Sequence, residues 1–359
     1  MAYIDSYGVE YSDDKKTLVK CPTSLEGSYT VLQGTTIIGE KAFEGCEKIE
    51  EVILSKSVLE IRQRSFHGCK KLTSITIPEN VEFVGRWAYY SCDNLSEVII
   101  RSKDIELINQ AFLDCKSIRK IVIPCGIIIK DHFDYDELKE VVLLDGSTSI
   151  EEDMFEYCEA LTTLNIPSSV NEIKSGAFSD CKSLIKIELD SSNPYFLVDN
   201  EVLYKKDKTE LIFVPRNYTG VFKIPNTVKI VLNGAFDSCG QIQSLVISEN
   251  VVDFPLVCYC KALSEFIVEG NSKYSSCNGV LYDYTKETLV RCPEGLNGRF
   301  VIPDFVKIIQ TNAFFNCVFS DVKIPESVVE IQSGAFHNCK GLTEIIIPRS
   351  VSKIGSSAF

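Results

Sequence analysis

Fifteen cysteines and three histidines are the residues of this 359-residue chain best suited to chemistry. Thiols can pair as disulfides, bind a soft metal or act as nucleophiles, and spacing decides among these roles. Ten of them, Cys46, Cys69, Cys92, Cys115, Cys158, Cys181, Cys239, Cys260, Cys317 and Cys339, recur at one place in a repeating phrase. A position used once per repeat is a packing position, where a small apolar thiol fits. Buried thiols are therefore expected in preference to the disulfide scaffold of a small secreted protein. Stacked repeats lie about 5 Å apart, so neighbouring thiols are within reach of one another. Two of the other five, Cys21, Cys125, Cys258, Cys277 and Cys292, are open to pairing.

Metal and catalytic constellations are sparse. Zinc needs clustered ligands, yet the sequence offers only Cys258-Tyr259-Cys260, far from His67, His132 and His337. His67 and His337 both directly follow the repeat phenylalanine, which makes them equivalent outer-arc positions. Asp13-Asp14 and Asp207 fall in turn segments, where Asp favours the turn backbone, with calcium binding as the alternative. There is no Gly-rich phosphate loop, nucleophile elbow or His-Glu-x-x-His pattern. The expectation is a protein without enzymatic activity, metal or cofactor. Asn94-Leu95-Ser96 and Asn217-Tyr218-Thr219 match the glycosylation pattern, which matters only in a eukaryotic secretory route.

The phrase that positions the thiols is close to Ala-Phe-x-x-Cys-x-x-Leu-x-x-Ile-x-Ile-Pro and returns about every 23 residues. Self-similarity at such a period predicts a solenoid of stacked coils. In Cys69 to Val84, Ile75 and Ile77 alternate with polar residues, the mark of a short strand with one face buried. Pro78 lacks the N–H a ladder requires and ends that strand. Val81 and Val84 point inward as the chain turns back, and segments like Ser65-Phe66 form the outer arc. The predicted fold is a right-handed stack of about eleven coils with one parallel sheet face. It is mostly β and irregular, with short helical turns.

The period breaks at Phe178 to Phe236 and again before Phe314. Each gap holds a similar insert, Glu201-Val202-Leu203-Tyr204 or Gly279-Val280-Leu281-Tyr282, followed by a polar turn and a second β-prone run. Gly8-Val9-Glu10-Tyr11 opens the chain with a third copy. Two β-prone runs around a polar turn predict a hairpin. One solenoid over 1–359 is expected: hairpin module 1–34, repeats 35–190, hairpin insert 191–225, repeats 226–270, hairpin insert 271–303, and repeats 304–359. The chain stops at Ala358-Phe359 partway through a repeat, as expected of a piece of a longer protein.

The formal net charge is −13, and no Lys/Arg cluster is evident on one face, which disfavours nucleic-acid and anionic-membrane partners. No apolar run is long enough to span a bilayer, and Met1 to Asp5 lacks the regions of a signal peptide.

Taken together, the period, Ile166-Pro167-Ser168-Ser169-Val170, the Ala-Phe-x-x-Cys-x-x-Leu phrase and the hairpin inserts closely resemble the BspA-like, or Treponema pallidum-type, leucine-rich repeats. The resemblance covers essentially the whole chain. Asp131-His132-Phe133-Asp134 and Phe254-Pro255-Leu256 depart from the pattern, and those coils should be irregular. The resemblance implies a surface or secreted protein of a host-associated bacterium or parasitic protist, acting in adhesion, matrix-protein binding or co-aggregation.

A binding face can be sought where strand residues point outward. That column reads Ile53, Thr76, Ile99, Val122, Val142, Asn165, Glu188, Val246, Ile267, Lys323 and Ile346. A parallel column two residues earlier reads Glu51, Ser74, Glu97, Lys120, Glu140, Thr163, Lys186, Ser244, Glu265, Asp321 and Glu344, six of them acidic. An apolar stripe beside an acidic one suits a protein partner. Equally, β-branched residues favour strands and carboxylates keep a face soluble. The candidate protein-binding residues are Ile53, Glu97, Ile99, Val122, Glu140, Val142, Val246, Ile267 and Ile346. The functional expectation is a cell-surface adhesin-like protein contacting host or partner-cell proteins. The alternative is an intracellular scaffold for protein–protein interaction in the cytoplasm.

Overall fold

The computed structural model describes residues 2–127, 133, 136–152 and 154–359. These form two compact units, Met1–Tyr195 and Phe196–Phe359. Each is a stack of coils, and most described coils carry two strands where one was expected. The Ile-x-Ile segment forms a four-residue strand, as in Ser74–Ile77, Glu97–Ile100 and Lys120–Ile123. Beyond the corner the chain forms a two-residue strand, as in Glu60–Ile61 and Phe83–Val84. Both sets pair in parallel with the equivalent strand of the next coil. Thr76 pairs with Ile99 and Ile99 with Val122, while Ile61 pairs with Val84 and Val84 with Leu107. The first unit thus holds an eight-stranded ladder from Gly27–Thr30 to Lys186–Leu189 and a second ladder from Tyr3–Ile4 to Glu106–Leu107.

The outer arc contains no helix among the described residues, contrary to the expected helical turns. Two left-handed residues flank the repeat aromatic in most described coils. Arg64 (φ 55°) and Gly68 (φ 73°) bracket Phe66, and Asn312 (φ 56°) and Asn316 (φ 61°) bracket Phe314. A left-handed residue ends any right-handed helical run, so the arc becomes consecutive tight turns. Those turns aim backbone groups along the stack. The Phe66 N–H donates to the Ala88 carbonyl at 2.7 Å, and the Gly68 N–H to the Tyr90 carbonyl at 2.9 Å. The position two after the aromatic is Gly45, Gly68, Ser91, Asp114, Asp180, Ser238, Asn316 or Asn338 in most coils. Glycine meets no steric penalty there, and Asn and Asp are enriched in that region.

Inside the coil the equivalent aromatics stack. Phe43, Phe66, Tyr89, Phe112 and Phe133 form one column, with centroids 4.7, 4.8, 4.7 and 4.8 Å apart and rings within 9° of parallel. Phe314 and Phe336 repeat this at 4.8 Å in the second unit. Phe133 is the described residue of the Asp131 to Asp134 segment; the other three lie outside the described residues. The coil with Phe254-Pro255-Leu256 is irregular as expected. Its Phe254 ring is tilted 40° from Phe236 at 6.4 Å, and between Val251 and Cys260 its backbone forms only an isolated bridge.

The repeated cysteines take the expected packing place. All fifteen cysteines are thiols and twelve are buried. Several regular thiols also answer a local need. The Phe43 carbonyl accepts the Cys46 N–H at 3.0 Å within its own coil and the Cys69 Sγ–H at 3.3 Å from the next. The same contact joins Cys92 to Phe66 at 3.3 Å and Cys339 to Phe314 at 3.0 Å. A buried carbonyl has two lone pairs to satisfy. The thiol supplies a weak donor without enlarging the core.

The inserts are hairpins, and larger than expected. Tyr3–Ile4, Phe196–Asp199 and Tyr274–Cys277 each add an antiparallel strand ahead of the predicted pair. Asn200 (φ 49°) and Glu201 (φ 68°), like Asn278 and Gly279, form a two-residue turn with both residues at positive φ. This is the favoured hairpin geometry. The last strand of each module then joins the parallel ladder, Thr17 pairing with Ile37, Glu210 with Ile230 and Thr288 with Ile308. The modules are therefore coils themselves, so the repeats form about 14 turns instead of eleven.

Tyr89 is the one tyrosine in the phenylalanine column. Its ring is fully buried and its hydroxyl has no hydrogen-bond partner among the described residues. An unsatisfied buried hydroxyl costs roughly 1–3 kcal/mol. Tyr89→Phe should keep the stack and stabilise the protein by about 1 kcal/mol, read as a higher denaturant midpoint. A lower midpoint would show that the hydroxyl has a partner.

Candidate functional site

The outward column is in register as expected through the first unit. Ile99 pairs with Thr76 and Val122, Val122 with Val142, and Val142 with Asn165, which pairs with Glu188. Ile53 is 48% exposed, and Ile99, Val122 and Val142 are half-buried. Ile53 and Thr76 line a hollow of about 380 Å³ with Glu51, Lys56, Glu79 and Arg101.

The carboxylates beside this stripe do not form an unbroken acidic row. Lys120 stands in register between Glu97 and Glu140 and lies 3.5 Å from each carboxylate. The three half-exposed side chains form a charge-alternating ladder. Glu51 accepts a hydrogen bond from Ser28 at 2.7 Å.

The second unit divides the rest of the column. Val246 and Ile267 belong to a three-stranded sheet, and Ile346 makes an isolated bridge with Lys323 elsewhere. Val246 is 6% exposed, so it is not the outward-facing contact residue expected. Lys223, in one flanking strand, and Glu269, just past the end of the other, lie 2.7 Å apart. Their ion pair crosses the Val246 strand. Ile267 is half-buried and Ile346 is 76% exposed.

The other singled-out residues take local roles. Asp14 accepts hydrogen bonds from Ser12 and the Lys16 N–H, and Asp207 from Thr209. Those contacts hold both carboxyls below their usual range. His67 stacks on Tyr90 at 5.2 Å and approaches Glu44 at 3.7 Å; His337 stacks on Phe315 at 5.6 Å. His132 lies outside the described residues. Asn94 and Asn217 are exposed.

Two clusters escaped the sequence reading. Arg64 and Arg86 approach the Trp87 ring at 5.0 and 4.2 Å, and Gln110 accepts from both Trp87 and Arg86. Those residues lie about one period apart, so a cationic cluster forms although no local run of basic residues announces it. In the second unit Arg291 and Glu294 are both buried, 3.4 Å apart. Arg291 donates to the Val257 carbonyl at 2.5 Å and the Phe315 carbonyl at 3.3 Å, while Glu294 accepts the Tyr259 N–H at 2.9 Å. Glu294 also borders a hollow of about 470 Å³ with Tyr259, Asn316 and Lys340. Its hydrogen bonds commit it to fastening coils.

Burial outweighs Arg291 and raises the Glu294 carboxyl above its usual value. A carboxyl raised on folding contributes stability that is present below its ordinary pKa and lost as pH rises through the folded value. Lowering pH from about 7 to about 5 should therefore stabilise the native protein relative to Glu294→Gln. Denaturant titrations at both pH values test this; equal responses would place Glu294 in a watery setting.

Comparison with known proteins bears on the assembled fold. No curated protein sequence matches the chain. A leucine-rich repeat protein from Eubacterium ventriosum is similar over 100% of this chain and 94% of its own, with 23% identity and a TM-score of 0.54. A leucine rich cell surface protein from Faecalibacterium prausnitzii is similar over 99% of this chain and 95% of its own, with 22% identity and a TM-score of 0.51. At these identities the likeness shows the leucine-rich-repeat fold. The family model matches residues 23–132, 126–222, 217–297 and 297–359, and the chain belongs to the BspA type leucine-rich repeat region family.

Proposed function

We propose that the protein is a non-enzymatic binding solenoid of a cell surface, contacting host or partner-cell proteins through the outward sheet face of residues 1–195. The observation that carries this is the in-register run of Ile99, Val122 and Val142, extended by Ile53 and bordered by Glu97, Lys120 and Glu140. A flat apolar strip with a charged border has the layout of a protein interface, apolar at the centre and polar at the rim. Fixed charges beside the strip set the register of a partner more than its affinity. Ile267 and Ile346 are candidate contacts in residues 196–359. The surface location is supported by family membership and by the description of the Faecalibacterium prausnitzii relative as a cell surface protein.

A second reading, an intracellular scaffold that gathers partner proteins, is favoured by the fifteen thiols. Binding to a panel of host matrix and cell-surface proteins tests both. Val122→Glu/Val142→Glu should weaken binding at least tenfold, a loss of about 1.4 kcal/mol, while leaving the thermal midpoint near that of the native protein. Undiminished binding would move the site off this face. Absence of any bound panel protein would favour the scaffold.

A further inference from the structure

The junctions between hairpin modules and the coils that follow them break the thiol pattern. In regular coils the cysteine is tied to the carbonyl of the previous repeat aromatic, at 3.3 Å for Cys69, 3.3 Å for Cys92 and 3.0 Å for Cys339. At the junctions no aromatic precedes. Cys46 reaches only the Cys21 and Pro22 carbonyls, at 3.8 Å each, and Cys317 only those of Cys292 and Pro293, also at 3.8 Å. These are weak contacts, and they seat Cys46 against Cys21 and Cys317 against Cys292 at the module boundary. All four residues are buried.

The backbone holds the two pairs in equivalent places. Cys21 N–H donates to the Ala42 carbonyl at 2.7 Å, and Cys292 N–H to the Ala313 carbonyl at 2.8 Å. The middle module makes the same bond from Val214 to Ala235 at 3.0 Å. It carries valine in place of the second cysteine, and Cys239 there accepts from Arg216 at 3.8 Å. One fold position thus presents a thiol pair in two modules and a natural control in the third.

We propose that Cys21–Cys46 and Cys292–Cys317 are two disulfide-forming pairs that fasten the first and third hairpin modules to the coil after each. The oxidant is a small-molecule disulfide. One thiolate attacks it and releases one thiol; the second thiolate of the pair attacks the mixed disulfide and releases another. Two protein thiols become one disulfide, and the reagent disulfide becomes two thiols. Either thiol of a pair can make the first attack once it is ionised. Regular cysteines such as Cys69, Cys92 and Cys339 are less suited, their thiols being spent on the carbonyl of the preceding aromatic. Burial means that exchange proceeds when a module lifts from its coil or during folding.

The native chain, refolded with oxidised and reduced glutathione, alkylated and digested, tests the assignment by peptide mass spectrometry. Cross-linked peptides joining Cys21 to Cys46 and Cys292 to Cys317 are expected, with the regular cysteines alkylated. The oxidised protein should melt at a higher temperature than the same sample after reductant. Val214→Cys should add a third cross-link, to Cys239. Ladder cross-links such as Cys46–Cys69 or Cys317–Cys339, or complete alkylation of all four junction cysteines, would overturn the proposal.

Discussion

Everything in this protein depends on stacking in register at a single spacing. A coil has no interior of its own, so its inward side chains and its strand N–H groups must be satisfied by the coil above or below. Three ladders carry that load: the four-residue strands, the two-residue strands, and the outer-arc turns that link Phe66 to Ala88 and Tyr89 to Ala111. At that spacing aromatic rings in equivalent positions lie face on face at 4.7–4.8 Å. Packing, more than quadrupole preference, decides that geometry, since rings left free favour offset or edge-on contacts. Where the spacing is relaxed, as at Phe254, the neighbouring rings turn edge-on or tilt.

The same constraint governs polar chemistry. Any residue type placed at one position of successive repeats becomes its own neighbour, so like charges would face each other up the stack. Lys120 between Glu97 and Glu140 shows the local remedy. Similar inter-coil pairs join Lys70 to Glu47 at 2.7 Å and Lys353 to Glu330 at 2.8 Å. Exposed pairs of this kind contribute little each, and their main effect is to let a protein of net charge −13 keep its carboxylates apart. The hairpin modules meet the constraint differently. They start a fresh antiparallel sheet and hand it to the parallel ladder through Thr17–Lys20, Glu210–Phe213 and Thr288–Arg291. In exchange they lose the aromatic carbonyl that anchors a regular thiol.

The candidate binding face follows from that geometry. Strands whose inward residues must be Val, Ile or Leu leave their alternate positions free to vary, and in the first unit several of these are also β-branched. Because the register does not slip from Ser74 to Lys186, those side chains form one strip. A one-residue slip would have turned the strip inward.

By itself the sequence determined the period, the solenoid class, the packing place of the repeated cysteines and the existence of the modules. Each of these is stated many times over by residues at fixed separations. Tertiary structure decided what depends on contacts between residues one or two periods apart. The Arg64–Trp87–Arg86 cluster, the Lys120 bridge and the ion pair crossing Val246 are of that kind. The second strand of each coil was too short to show a periodicity, and the turns of the outer arc were mistaken for helical ones. Their left-handed residues include Lys41, Arg64 and Trp87 beside the glycines and asparagines, so residue type alone could not reveal them. Pairing of Cys21 with Cys46 likewise became visible only once the module's last strand was seen to occupy a coil. The physical reason is common to all: local pattern records which way a side chain faces, whereas its partner is set by how the coils stack.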